Sequence, residues 1–345
     1  MPTWGQLSKQ TQVQAMIDRI DDTDWSVLWD RYNITNPVTA RRKIDERIQG
    51  MRHKLNIGDA PPGHRADNNP VGEALAAWMA YQEVVNRIRD ERVVSSVDIY
   101  VDDDKPIGLA LPADWHVGDI GTDHEALKHH AELLGSTDGM HTIIGGDAVN
   151  NMIHPRIMEQ GKADMPPDIQ YLMLEWLIEL LEPDAVRHGN HSEWTAQFSG
   201  VDMLAEIAAK QNVICTASGV EIRYHVGRQV YKLFIQHKYR YGSSFNLTHT
   251  VKRLWEMGLC DFDIGVVEHQ HVPAMEPFVK HGQEKLAIRP GTYKTRDSWA
   301  QKQGFYGAKI GVPIVFLWPD EKRMEMRAPI GNVEGSCEYL EWLRR

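Results

Sequence analysis

Several short strings of this chain contain side chains that bind divalent metal ions. In chain order they are Asp114-Trp115-His116, Gly146-Asp147, Gly189-Asn190-His191, His237 and His269-Gln270-His271. One Asp and one His two residues apart would be weak evidence, whereas the ordered set is specific. Carboxylates, an amide carbonyl and imidazoles together suit manganese, iron or zinc better than calcium. The set therefore predicts a pair of divalent metal ions that serve phosphate-ester hydrolysis.

The strings share one position relative to the predicted strands, because each follows an apolar run. The runs lie at residues 109–113, 142–144, 185–187, 231–236 and 266–267. In α/β sheets the loops beyond the carboxyl ends of strands gather at one edge, so residues far apart in sequence can converge there. The glycines of the strings allow the backbone to bend closely around an ion. We therefore expect one site at that edge of the sheet.

Strands alternate with helices from residue 93 onward, and a strand-rich second half follows. Helices are predicted at residues 124–134, 168–181, 201–211 and 248–257, and two of the strands at 213–216 and 220–226. This order predicts an α/β fold in which two packed sheets form a β-sandwich flanked by helices. The domain that carries the strings is predicted to span residues 93–345. Residues 56–92 are predicted to be a linker and a connecting helix.

The first 55 residues predict a separate helical module. Apolar residues at helical spacing, a break at residues 33–37 and a basic helix after it resemble a helix-turn-helix. Arg41, Arg42 and Lys43 are its candidate DNA contacts. The alternative is a packing or dimerisation helix with a solvated basic face. Residues 1–54 carry nine Lys and Arg against seven Asp and Glu, so this segment has a charge of +2 and the remainder −12.

The composition is that of an ordinary soluble globular protein, with 42% hydrophobic and 25% charged residues. The net charge of −10 argues against a broad basic surface that wraps nucleic acid. No apolar run is long enough to span a bilayer, and the first residues lack the pattern of a secretory signal. We therefore expect a cytoplasmic protein without a membrane partner. The three cysteines form no close pair, so neither a disulfide framework nor a Cys-type zinc site is indicated.

The motif order D-x-H, G-D, G-N-H, H and H-x-H resembles the calcineurin-like metallophosphoesterase superfamily over residues 114–271. The resemblance implies two metal ions, one held by Asp114, His116 and His271 and the other held by Asn190, His237 and His269. It also implies that Asp147 bridges them. The implied nucleophile is a hydroxide shared by the two ions, since paired cations lower the pKa of water. Manganese is the favoured metal, with iron and zinc as alternatives.

The same resemblance assigns a different role to His191, which is not a ligand in the family pattern. His191 would protonate the leaving oxygen or stabilise the charge that develops on it. Two residues depart from the pattern. Glu268 stands where Gly is usual, and it would either hydrogen-bond a ligating histidine or point into the sheet. Ser192 stands where an acid is usual, so Glu193 becomes the candidate to orient His191.

The neighbours of the first motif bear on the substrate. Asp114-Trp115-His116-Val117-Gly118 resembles the D-W-H-L-G opening of bacterial SbcD-type DNA-repair nuclease subunits. With the helix-turn-helix-like module, this favours a DNA exonuclease or endonuclease. A phosphodiesterase or phosphatase for small nucleotides, cyclic ones included, is the alternative, and a non-catalytic DNA-binding scaffold is a third hypothesis. A homodimer or an ATPase partner remains open.

Overall fold

The computed structural model of the chain divides into two units, Met1–Arg89 and Asp90–Arg345. The described residues are 15, 31, 42–46, 72, 74–83, 94–154, 164–240, 242–258, 260–297, 301, 302, 304 and 308–345. Most of the predicted helix-turn-helix module, Arg41 included, therefore lies outside the described residues. Arg42 and Lys43 belong to a helical stretch at 42–46. Across these ranges, no helix combines the length and apolar character that crossing a membrane requires.

The strands in the described part of the second unit join into one large sheet. They are β1 (Val94–Val101), β2 (Ile107–Ala110), β3 (Met140–Ile144), β4 (Ala185–Arg187), β5 (Ile214–Val226), β6 (Gln229–Gln236), β7 (Ile264–Val267), β8 (Ala274–Lys280), β9 (Gln283–Arg289), β10 (Ile314–Leu317) and β11 (Met324–Met326). Their order is β11-β10-β2-β3-β4-β5-β6-β7-β9-β8, and β1 pairs with β5 outside this path. Strands β2, β3, β4 and β5 pair in parallel, as do β6, β7 and β9.

Buried apolar side chains show that this sheet folds over on itself into two layers. Residues distant in the strand order pack in one cluster, among them Leu317 of β10, Ile222 of β5 and Ile264 of β7. Because side chains alternate along a strand, the other face of each layer is left to pack against helices. The predicted α/β sandwich is confirmed. Its two layers are continuous through β5, which runs as one strand where two were predicted.

Helices cover the outer faces of both layers. The helices in the described part of the second unit are α1 (His124–Ser136), α2 (Pro167–Leu181), α3 (Asn190–Ser199), α4 (Met203–Lys210), α5 (His249–Glu256) and α6 (Val333–Leu343). Helices α1, α2, α4 and α6 share one buried cluster with the sheet, whereas α5 packs with residues of β7 and β9. The four helices predicted after residue 93 are confirmed. Helices α3 and α6 were not predicted.

The pairing of β4 and β6 with β5 explains why the loops that follow strands of both layers lie close together. The last residue of β4, Arg187, pairs with Thr216, and the last residue of β6, Gln236, pairs with Gly219. These two positions on β5 are separated by only about 10 Å of strand. Although β6 runs antiparallel to β5, the carboxyl ends of β4 and β6 therefore meet. The predicted convergence of the motif loops follows from this geometry.

The cluster between the two layers should dominate the stability of this unit. Leu109 of β2 is fully buried in it. We expect Leu109→Ala to lower the free energy of unfolding by about 2–5 kcal/mol, because the substitution leaves a cavity between the layers. Urea denaturation measures this loss. Ile120→Ala serves as the matched control, since Ile120 is 76% exposed; a similar loss in both variants would contradict the packing described here.

Candidate metal centre

The loops that carry the predicted strings are joined to one another by hydrogen bonds. The amide of Asp114 donates to the carbonyl of Gly146 at 3.0 Å. The amide of His269 donates to Asp114 Oδ2 at 3.0 Å, and the amide of His191 donates to Asp147 Oδ1 at 2.9 Å. Residues separated by up to 155 positions in the chain are thus held side by side. The structure brings the strings to one place.

Five of the seven predicted metal ligands have a left-handed backbone, which residues other than glycine seldom adopt. The φ angles are 51° for Asp114, 47° for His116, 55° for Asp147, 74° for His269 and 59° for His271. Such a conformation costs about 1–3 kcal/mol per residue and persists only where the surrounding structure imposes it. The surrounding structure therefore imposes a backbone conformation that fixes the direction of the candidate ligand side chains.

Asp114, His116 and His271 form the first candidate metal group. Their ligand atoms all lie within 4.8 Å of one another. His271 Nε2 is 3.1 Å from His116 Nε2 and 3.5 Å from Asp114 Oδ1. His116 Nδ1 is 3.1 Å from Asn150 Oδ1, which accepts its hydrogen bond and leaves Nε2 facing the group. One carboxylate and two imidazoles converge, which is a mixed oxygen and nitrogen set suited to a divalent transition metal.

Asp147, His237 and His269 form the second candidate group, again within 4.8 Å. His237 Nε2 lies 3.0 Å from Asp147 Oδ2 and 3.3 Å from His269 Nδ1. Asn190, also predicted as a ligand, places Oδ1 3.1 Å from His237 Nε2. Gly146 makes this approach possible, because a Cβ there would lie 2.4 Å from His237 Nδ1. The bridging role of Asp147 stays a prediction.

Two carboxylate oxygens show that these groups suit cations. Asp114 Oδ1 and Asp147 Oδ2 are buried and accept no hydrogen bond from the described residues. His237 Nε2 lies close to both Asp147 Oδ2, at 3.0 Å, and Asn190 Oδ1, at 3.1 Å. Burying a carboxylate oxygen without a partner is costly, and a coordinated metal ion removes that cost. Each oxygen sits in a different candidate group, so the residues fit two ions.

The electrostatics of the histidines favour the same chemistry. Burial lowers the pKa of His116 well below its usual value, and burial together with His237 lowers the pKa of His269 to about 4. Both rings are therefore neutral at neutral pH, with a nitrogen lone pair free for a metal. Burial also acts to lower the pKa of His237, but Asp147 and Glu268 outweigh it and raise this pKa well above its usual value. A cation beside Asp147 would compete with that proton.

His191 lies beside both groups at the first turn of α3. Its Nδ1 is hydrogen-bonded to the carbonyl oxygen of Asn150, so its Nε2 is the nitrogen left to face the site, 3.8 Å from Asp147 Oδ2. The rings of His191 and His116 meet edge to face with centroids 4.8 Å apart. This position differs from that of the candidate ligands and suits a residue that exchanges a proton with a substrate.

Glu268 lies within hydrogen-bonding distance of a candidate ligand, as one of its two predicted roles requires. Its Oε2 accepts from His237 Nδ1 at 3.1 Å and from the amide of Gly146 at 2.9 Å. Its Oε1 accepts from Arg187 Nη1 at 2.5 Å, and Arg187 also donates to the carbonyl of Ser218. Sequence reasoning missed Arg187, which is completely buried at the end of β4. The sequence indicated it only by a charged side chain at the end of the apolar run 185–187.

Asn150 is a second residue that sequence reasoning missed, and it replaces Glu193 in one predicted role. Glu193 was the candidate to orient His191, but His191 Nδ1 bonds to the Asn150 carbonyl instead. The prediction for Glu193 fails because residues two apart on a helix point to different sides. Asn150 also donates through Nδ2 to Asp164 Oδ2 at 2.7 Å, which fixes the amide that faces His116. Asn150 thus supports two histidines of the site, His116 through its side chain and His191 through its backbone carbonyl.

Comparison with known proteins gives a limited likeness. No protein-family model and no curated protein matches the chain. Among solved structures, vacuolar protein sorting 29 from Cryptosporidium parvum is 15% identical, with 65% of this chain and 98% of that one covered and a TM-score of 0.37. A metallophosphoesterase from Sphaerobacter thermophilus is 14% identical, covering 68% and 94%, with a TM-score of 0.33. A phosphatase from Mycoplasma pneumoniae is 12% identical, covering 66% and 95%, with a TM-score of 0.36. At these values the likeness says nothing about activity.

Proposed function

We propose that this protein is a metal-dependent phosphoesterase that hydrolyses phosphodiester bonds. One observation carries the proposal: Asp114 Oδ1 and Asp147 Oδ2 are buried without hydrogen bonds, and each belongs to a group with two imidazoles. The motif order, which resembles that of calcineurin-like metallophosphoesterases, supports the same chemistry. The ligand types favour manganese, with iron and zinc as alternatives.

Different residues of the site have different roles in the proposed hydrolysis. Divalent cations at such a site lower the pKa of water and offset the negative charge of a phosphate. Asp114 and Asp147 are 0% and 1% exposed, so their charges act where water screens little. The Asn150 carbonyl holds His191 with Nε2 toward the site. When protonated, His191 gives its Nε2 proton to the leaving oxygen as the phosphorus–oxygen bond breaks.

Replacement of the candidate acid should separate metal binding from turnover. We expect His191→Ala to keep the metal content of the wild type and to lower kcat by about 10²–10⁴-fold, because proton transfer to the leaving oxygen is lost. Elemental analysis and steady-state kinetics measure the two quantities. His129→Ala is the matched control, since that histidine lies on α1 with 58% of its side chain exposed. Loss of metal in His191→Ala would show that His191 is a ligand.

For the substrate we propose DNA, hydrolysed by exonuclease or endonuclease action. The D-W-H-V-G string and the basic residues near 41–43 support this choice over a phosphatase or a phosphodiesterase for small nucleotides. The purified protein with Mn²⁺ should be offered linear DNA, a cyclic nucleotide and a generic diester. Release from DNA above the others supports the nuclease, and preference for the cyclic nucleotide supports the alternative. No release from any of them, with metal bound, favours a DNA-binding scaffold.

The N-terminal basic residues provide an independent test of the DNA proposal. Arg41→Ala with Arg42→Ala should weaken DNA affinity and flatten its salt dependence, because each lost phosphate contact removes about one unit from the slope of log K against log salt. Hydrolysis of a small diester should not change. Fluorescence anisotropy at several salt concentrations measures the slope. Unchanged DNA binding would assign these helices to packing instead.

A further inference from the structure

Three ring-bearing side chains lie on one face of α3, beginning with the candidate acid. His191, Trp194 and Phe198 are spaced by three and four residues, which places them on the same side of a helix. The rings of His191 and Trp194 have centroids 4.3 Å apart and planes at 33°. His154 joins the row, with its ring centroid 5.7 Å from that of Trp194 and 5.8 Å from that of Phe198. We call these four rings the aromatic strip.

The aromatic strip leads from the candidate metal centre toward solvent. At its inner end, His191 Nε2 is 3.8 Å from Asp147 Oδ2. At its outer end, Phe198 is 55% exposed, and Trp194 and His154 between them are partly exposed. From His191 to Phe198 the helix advances about 10 Å. A molecule whose phosphate lies at the metal centre can therefore extend along these rings.

Core packing does not account for the strip. The buried apolar clusters of the described residues contain none of its four rings. An exposed phenylalanine contributes little to folding stability, since its ring is largely left in water. Aromatic rings in a row beside a phosphate site are instead typical of proteins that stack nucleic-acid bases. The aromatic composition of the strip and its position beside the candidate metal centre therefore suit a ligand-binding surface.

We propose that the aromatic strip is the subsite for the nucleobase next to the phosphodiester that is hydrolysed. This inference rests on the proposed function, because it needs the phosphate at the metal centre. A base is joined to its phosphate through one sugar, so it reaches rings that begin beside Asp147. Stacking tolerates any base, since each has a flat π face. The strip thus selects nucleobase-bearing diesters over diesters that lack a base.

The experiment compares two diesters that differ only in their bases. The first is a thymidine dinucleotide, and the second is its abasic counterpart, in which tetrahydrofuran residues carry hydrogen in place of each base. With the full chain and Mn²⁺, we expect kcat/KM to favour the dinucleotide by roughly 5- to 100-fold, the range that stacking of a base supplies. Phe198→Ala and Trp194→Ala should bring this ratio toward one. Phe198→Tyr and Trp194→Phe should keep it, because they preserve the rings.

A binding measurement keeps the two proposals distinguishable. Isothermal titration calorimetry of the Mn²⁺-loaded protein with slowly hydrolysed phosphorothioate analogues of both diesters reports base recognition apart from turnover. Equal kcat/KM and equal affinity for both diesters in the wild type, or a ratio that survives Phe198→Ala and Trp194→Ala, would overturn the subsite and leave the phosphoesterase intact. Tighter binding of the dinucleotide that depends on Phe198, without any hydrolysis, would support the subsite and contradict the proposed function.

A longer substrate identifies the source of the base. A single-stranded oligothymidine that is cleaved with higher kcat/KM than the dinucleotide, and loses this advantage in Phe198→Ala, would show that the outer end of the strip holds a nucleic-acid strand. Equal values would show that the strip holds a single nucleotide. Once the dinucleotide is preferred over its abasic counterpart, each result names a different physiological form of the diester.

Discussion

Asp147→Asn should remove activity almost completely, with kcat/KM lower by at least about 10³-fold, because it weakens cation binding where the charge of a phosphate must be offset. Asp147 is 1% exposed, and its Oδ2 lies beside His237 and His269. Burial acts to raise the pKa of Asp147, but the charges of His237 and His191 outweigh it and hold this pKa well below its usual value. The carboxylate is therefore ionised, and the neutral amide cannot replace it.

The control for this substitution is a carboxylate of the same type far from the site. Asp138→Asn changes a side chain that is 86% exposed and paired with Arg344. We expect it to keep wild-type activity and wild-type metal content. Circular dichroism should show that both variants are folded. Full activity in Asp147→Asn would mean that the second candidate group takes no part in hydrolysis.

Arg187→Met should give the largest loss of stability, about 3–5 kcal/mol in the free energy of unfolding. Arg187 and Glu268 are 0% and 2% exposed at their side chains and 2.5 Å apart, so removal of the guanidinium leaves the Oε1 of a buried carboxylate without its charged partner. The charge of Arg187 is one of the groups that keep the pKa of Glu268 low in spite of burial. Urea denaturation measures the loss.

Two further variants show whether this ion pair also serves the metal centre. Arg187→Met with Glu268→Gln should recover part of the stability, because no unpaired charge remains. It should still bind the second cation about 10–100-fold more weakly, since His237 Nδ1 loses its carboxylate partner. Arg223→Met, in the exposed pair with Asp98, should change stability far less. Equal losses for Arg187→Met and Arg223→Met would contradict the account.

The sequence was sufficient to predict what local patterns determine. The helices at 124–136 and 167–181 carry clear apolar stripes, and their predicted positions agree with the structure within two residues. The strings that contain the candidate ligands follow strands β2, β3, β4, β6 and β7, as their apolar runs indicated. Asp, Asn and His side chains at successive strand ends are typical of a metal site, because the loops beyond those ends gather at one edge. The predicted ligands lie together for that reason.

The sequence was insufficient where structure depends on distant contacts. The ion pair between Arg187 and Glu268 joins residues 81 positions apart, and no local sequence pattern predicts it. Helix α3 was missed because its first residues are ligand types, and its start depends on the hydrogen bonds between Gly189 and Ser192. Two strands were predicted at 213–216 and 220–226, but β5 continues between them because Gln236 of β6 pairs with Gly219.

The most direct test of the central claim is the number of divalent cations that the chain binds. Titration of chelator-treated protein with Mn²⁺, followed by calorimetry, should give about two equivalents per chain for a dinuclear site. Asp114→Asn should weaken one binding event, whereas Asp147→Asn should weaken the other and, in the predicted bridging role of Asp147, the first as well. No binding in the wild type, or the same two binding events in both variants, would contradict the account.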